Sequence, residues 1–120
     1  MINLCSNEYC IKIDTINNSW CKCWLIIDEN TSYLGSESLK YLKDHLLAGL
    51  NDSPKKSDGH LHGYDFSWVL SLSEIHTALY VAADDQGKVL LLQDVHAKEI
   101  CMIKLSQDQC LQWLNEIQII

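Results

Sequence analysis

A chain of 120 residues makes one domain with a core of its own. Sixteen acidic residues against nine basic ones give a net charge of −7, and every basic residue is Lys. Readers of phosphates and base edges depend on Arg forks and a basic face, so this composition argues against nucleic acid and anionic lipid as partners. It favours a basic one, whose approach an acidic surface accelerates.

Tyr9, Ile11 and Ile13 alternate with Cys10, Lys12 and Asp14, the period of a first strand. Asn17-Asn18-Ser19 is turn chemistry, and Trp20 to Ile27 is a second strand hairpinned to the first. Both of its faces are largely apolar, which places it inside a sheet or under a helix. Asp28-Glu29-Asn30-Thr31 turns the chain into a short strand at Ser32 to Leu34. Ser36 or Ser38 then caps a helix over 37–48, on which Leu39, Leu42, Leu46 and Leu47 share a stripe beside Lys43. Gly49 stands where a left-handed residue closes such a helix. Asn51 to Tyr64 has no period and holds the single Pro, so it reads as a long loop, functional or merely connecting.

The stretch Asp65 to Leu105 reads as a strand meander that supplies most of the core. Phe66, Trp68, Leu70 and Leu72 alternate with Ser67, Val69, Ser71 and Ser73 as one face of a strand. Leu79 to Ala83 and Val89 to Gln93 flank the turn Asp84-Asp85-Gln86-Gly87, and Ile100 to Leu105 follows a second polar turn. Ser106 with Gln109 forms a capping box for a last helix, 107–118, striped by Cys110, Leu111, Trp113, Leu114 and Ile117. The expected fold is a single α+β domain over 1–120, a twisted antiparallel sheet of about five or six strands with two helices packed on it.

No catalytic, metal or cofactor site is expected. His60-Leu61-His62 and Cys21-Lys22-Cys23 lack the spacing of a structural zinc site. His45, His76 and His96 sit in no recognisable nucleophile motif, and no phosphate loop or G-x-S-x-G is present. The pairs Asp28-Glu29 and Asp84-Asp85 fall in wet turns, where carboxylates stay ionised and suit a cationic partner better than acid–base work. Trp20, Trp24, Trp68 and Trp113 fit core stripes, with Trp20 partly exposed and available to an interface. The first ten residues carry neither a basic n-region nor an apolar h-region, and the longest apolar runs are too short to span a bilayer. The six Cys therefore read as free thiols of a cytoplasmic protein.

The first half of the chain resembles the small immunity proteins of bacterial polymorphic-toxin and contact-dependent growth inhibition systems. The likeness is carried by Tyr9-Cys10-Ile11-Lys12-Ile13, Ser19-Trp20, Trp24-Leu25-Ile26-Ile27, Tyr33-Leu34-Gly35 and Leu39, Leu42 and Leu46, with Asp65-Phe66 leading the meander. The resemblance implies a cytoplasmic protein that binds one cognate toxin domain and blocks it. Such toxins are often nucleases, which are commonly basic because they grip phosphate. The contacts expected from charge and loop placement are Asp28, Glu29, Asp58, Asp65, Asp84 and Asp85, with Trp20, on a monomer or weak dimer. The alternative is an acidic type III-like secretion chaperone that holds an effector segment as a homodimer. A third is a small metal- or thiol-dependent enzyme using His60 and His62.

Overall fold

The computed structural model describes residues 1–51 and 57–120. Among these the chain forms β1 Ile2–Cys5, β2 Tyr9–Thr15, β3 Trp20–Ile27, β4 Asn30–Ser38, α1 Leu39–Asn51, β5 Gly59–Leu61, β6 Tyr64–Leu72, β7 Thr77–Asp84, β8 Gly87–Gln93, β9 Glu99–Ser106 and α2 Gln107–Ile119. The strands make two antiparallel meanders, β1-β2-β3-β4 and β5-β6-β7-β8-β9. The class is α+β as expected, but with two sheets of four and five strands in place of one of five or six. Two strands escaped the sequence reading because they are too short to show a period: β1 buries only Leu4, and β5 has three residues. The middle of the predicted long loop, residues 52–56, lies outside the described residues; its last part is the β5–β6 hairpin.

The first sheet has one dry face. Cys21, Cys23 and Leu25 of β3 point into the core, while Trp20 and Lys22 are exposed and Trp24 and Ile26 half-buried. Strand β3 lies inside its sheet, between β2 and β4, as expected, with one face in the core and the other partly open. Its outer apolar residues are explained by a cross-strand pair, the Trp24 and Tyr33 rings packing at 4.8 Å. Strand β4 runs well past the predicted Ser32–Leu34. A bulge opposite Cys23 and Trp24 brings Gly35 to φ 127°, a region L side chains avoid. A Cβ on Gly35 would run into the Ser73 carbonyl and stand 2.8 Å from Leu72 Cβ. This glycine lets the sheets meet, at an antiparallel bridge between Ser36 and Ser73.

Helix α1 starts two residues later than predicted. Ser38 is its cap, its Oγ accepting the Tyr41 N–H at 3.1 Å, while Ser36 is buried and donates to Glu74 Oε1 at 2.6 Å. Gly49 does not end the helix. It lies inside it, where an added Cβ would stand 3.0 Å from Val69 Cγ2, so its role is close approach of α1 to β6. Lys43 lies beside the apolar stripe and turns its ammonium to the Gln118 and Ile120 carbonyls, at 3.1 and 3.2 Å, at the electronegative end of α2. The predicted capping box opens α2. Trp113, fully buried, donates its indole N–H to the Cys5 carbonyl at 2.9 Å and ties α2 to β1.

The main core lies between the sheets and helices and includes Leu4, Ile13, Leu25, Leu70, Val81, Leu90, Ile103, Trp113 and Ile117. A second cluster, Phe66, Ala82, Val89 and Leu91, sits on the opposite face of the second sheet. It exists because β6 carries a bulge between Trp68 and Leu70. The extra residue reverses the parity of the strand. Phe66 and Trp68 therefore face outward and Leu70 and Leu72 inward, which corrects the single alternating face read from sequence.

Cysteine usage is also corrected in part. Cys5 and Cys10 are register partners on β1 and β2 and are joined in a disulfide, whereas Cys21, Cys23, Cys101 and Cys110 are free and buried. No helix among the described residues is long and apolar enough to cross a membrane.

Candidate functional site

The outer face of the second sheet is the most elaborated surface of the molecule. Over it lies the β5–β6 hairpin, closed by His62 and Gly63 at φ 52° and 83°. Positive φ at both central residues is the type I′ geometry that suits the twist of a two-residue hairpin. Polar contacts hold this strap down. His62 Nε2 is 3.1 Å from Glu99 Oε1 on β9, and Tyr64 donates its hydroxyl to Asp84 Oδ2 at 2.9 Å. Lys104 Nζ lies 5.7 Å from the centre of the Tyr64 ring. Within the strap His60 Nδ1 meets Asp65 Oδ1 at 2.9 Å. Asp58 finishes the edge: its N–H donates to the Phe66 carbonyl at 2.7 Å, and its Oδ2 accepts the Trp68 N–H at 2.8 Å. Beneath are the buried Phe66, Ala82, Val89 and Leu91, sealed by Leu61, Tyr64, Tyr80 and Met102. Beside the strap runs an open groove of about 170 Å³ lined by His60, Leu61, Phe66, Tyr80, Leu91 and Gln93.

The expected contact residues divide into groups. Asp58, Asp65 and Asp84 belong to the strap and its anchors, and Asp85 follows in the β7–β8 turn. Asp28 and Glu29 occupy the β3–β4 turn, and Trp20 stands at the other end of β3, roughly 23 Å away along an extended strand. Asp28, Glu29, Asp58, Asp65 and Asp85 are exposed and Asp84 is half-buried. Asp84 is held below the usual carboxylate range first by the Gln86 amide and then by the Tyr64 hydroxyl. Asp94, in the β8–β9 turn, is lowered chiefly by the Lys98 amide.

The thiols are placed as core groups. Burial takes Cys101 up to about 12 and also raises Cys110. The neighbouring thiol and burial push Cys23 up, while a hydrogen bond from Cys23 lowers Cys21. The His60–His62 and Cys21–Cys23 pairs lie on different sheets, and each histidine meets a different carboxylate. Among the described residues no group of three or more His, Cys, Asp or Glu side chains is placed to hold a metal ion.

One surface feature was missed in the sequence. Trp68 is 46% exposed, against its assignment to the core. His45 of α1 meets it edge-on at 6.5 Å and stacks in turn on Tyr41 at 3.9 Å. The tryptophan itself was the available signal; the bulge that turns it outward was not readable.

Comparisons with protein-family models, with curated proteins and with solved structures found no match.

Proposed function

We propose that the protein is a cytoplasmic immunity protein that binds and neutralises a basic, nuclease-type toxin domain through its acidic surface. The observation that carries this reading is the charge of −7 with no Arg, with acidic side chains exposed in turns and along the strap. Asp58, Asp65, Asp84 and Asp85 surround one end of the second sheet, and Asp28 and Glu29 add a second acidic turn. A folded basic partner meets such a surface by long-range attraction, and its association slows as salt rises. The test is capture of the basic domain encoded beside this gene, together with inhibition of its activity. The reading expects a stoichiometric complex whose association rate falls steeply with ionic strength. Failure to bind or inhibit any neighbouring product overturns it.

A second reading, a homodimeric secretion chaperone, is favoured by one feature. At the end of the molecule where β2 turns into β3, Met1, Ile2, Ile13, Leu39, Ile119 and Ile120 line a hollow together with Thr15, Asn17 and Asn18, and none of these side chains is charged. Sedimentation separates the two readings, the chaperone requiring a stable dimer without any partner.

A further inference from the structure

Among the exposed tryptophans Trp68 is the one fixed by both its backbone and its ring. Its main-chain N–H is donated to the Asp58 carboxylate at 2.8 Å, and its indole N–H to Ser71 Oγ at 3.3 Å. The Tyr41–His45 stack, approaching at 72°, supports the ring from α1. With the N–H engaged, what the indole exposes is apolar ring surface. Leaving a large apolar ring 46% exposed forgoes a substantial share of its burial energy. The Asp58 carboxylate lies against the Trp68 backbone. An indole face next to a carboxylate is the arrangement that receives a cation, Arg better than Lys, because the guanidinium stacks flat and bonds the carboxylate at its edge.

We propose that Trp68, with Asp58, is the seat of an arginine side chain presented by the basic partner. The proposal rests on the protein-binding reading above and adds to that partner's contacts one on the α1–β6 seam. The indole is pre-ordered by its hydrogen bonds, so little rotamer entropy is lost when the cation docks.

The test titrates labelled nona-arginine peptide into the intact protein. Trp68→Ala is expected to weaken binding about tenfold, within the range of a desolvated cation–π contact. Trp68→Phe retains part of the affinity, and Asp58→Asn, which keeps an acceptor for the Trp68 N–H, loses several-fold. Circular dichroism checks that each variant is folded. The control is the double variant Glu8→Gln, Asp108→Asn, which removes two exposed acidic side chains outside the proposed contact surface and is expected to bind nearly as wild type. Peptide affinity unchanged in Trp68→Ala, or reduced as much in the control, overturns the proposal. Capture of the neighbouring basic domain keeps the two readings apart. Equal capture by wild type and Trp68→Ala overturns the seat and leaves the inhibitor standing. No capture by wild type, with the peptide still lost in Trp68→Ala, overturns the inhibitor and leaves the seat.

Discussion

Glu74 shows how much one side chain does at the junction of the sheets. It sits at φ 73°, an unfavourable backbone for a residue with a Cβ. Its carboxylate accepts the Ser36 hydroxyl at 2.6 Å and the Tyr33 hydroxyl at 3.0 Å. Those two bonds, Ser36 first, hold its pKa below the ordinary glutamate value. A group lowered in the folded state stabilises the fold above its unfolded pKa, and that contribution is lost as pH falls through the folded value. Glu74→Gln should therefore be less stable than wild type at neutral pH. The gap should narrow as pH falls below the ordinary glutamate range and the Glu74 carboxylate takes up its proton. Urea midpoints of the two proteins across that range check this; a gap independent of pH would mean that the carboxylate charge is irrelevant. Nothing in the sequence announced this contact, because Glu74 and its partners lie about forty residues apart along the chain.

At the scale of elements, what was legible is what local chemistry dictates. The Ser106–Gln109 box closes reciprocally, Gln109 N–H to Ser106 Oγ at 3.2 Å and Ser106 N–H to Gln109 Oε1 at 3.0 Å. Ser106→Ala should cost about 1 kcal/mol in chemical denaturation, with Ser106→Asn restoring most of it. The leucine stripe of α1 was equally readable: Leu42 and Leu46 are buried and Leu39 and Leu47 half-buried. The β6 bulge was not. Phe66, Trp68, Leu70 and Leu72 keep an unbroken alternation, and Val69 is apolar too, so the change of parity leaves no mark in the pattern. That one hidden residue decided the candidate site, since it turns Trp68 outward and Phe66 under the strap. Gly63 did carry a signal for the hairpin tip, but β5 is too short to reveal a strand. The β1–β2 hairpin allows a separate measurement. Its disulfide closes a short loop, worth about 2 kcal/mol on the chain-entropy scale. The double variant Cys5→Ser, Cys10→Ser should be less stable by about that amount under oxidising conditions. It should equal wild type once a thiol reductant is added.

For the molecule as a whole, periodicity identified strands without saying how they group. The sheets divide where α1 follows β4, and their backbones meet at the Ser36–Ser73 bridge, where Gly35 admits the Ser73 carbonyl. Gly35→Ala should cost roughly 3 kcal/mol, through both the disallowed φ and the collision with Ser73. The loss should fall on the contact between the sheets: hydrogen exchange at Ser36 and Ser73 should accelerate before that at the centre of β7 or β8. The acidic composition was read correctly as a bulk property, whereas the division of carboxylates between the strap and a distant turn required the fold. The same topology has a consequence for biosynthesis. In both sheets every strand pairs with the one made just before it. During translation each new segment meets a template already outside the ribosome, with only a short loop to close and no wait for a remote part of the chain. The amino-terminal sheet can thus begin to assemble while the codons for the carboxy-terminal one are still being read.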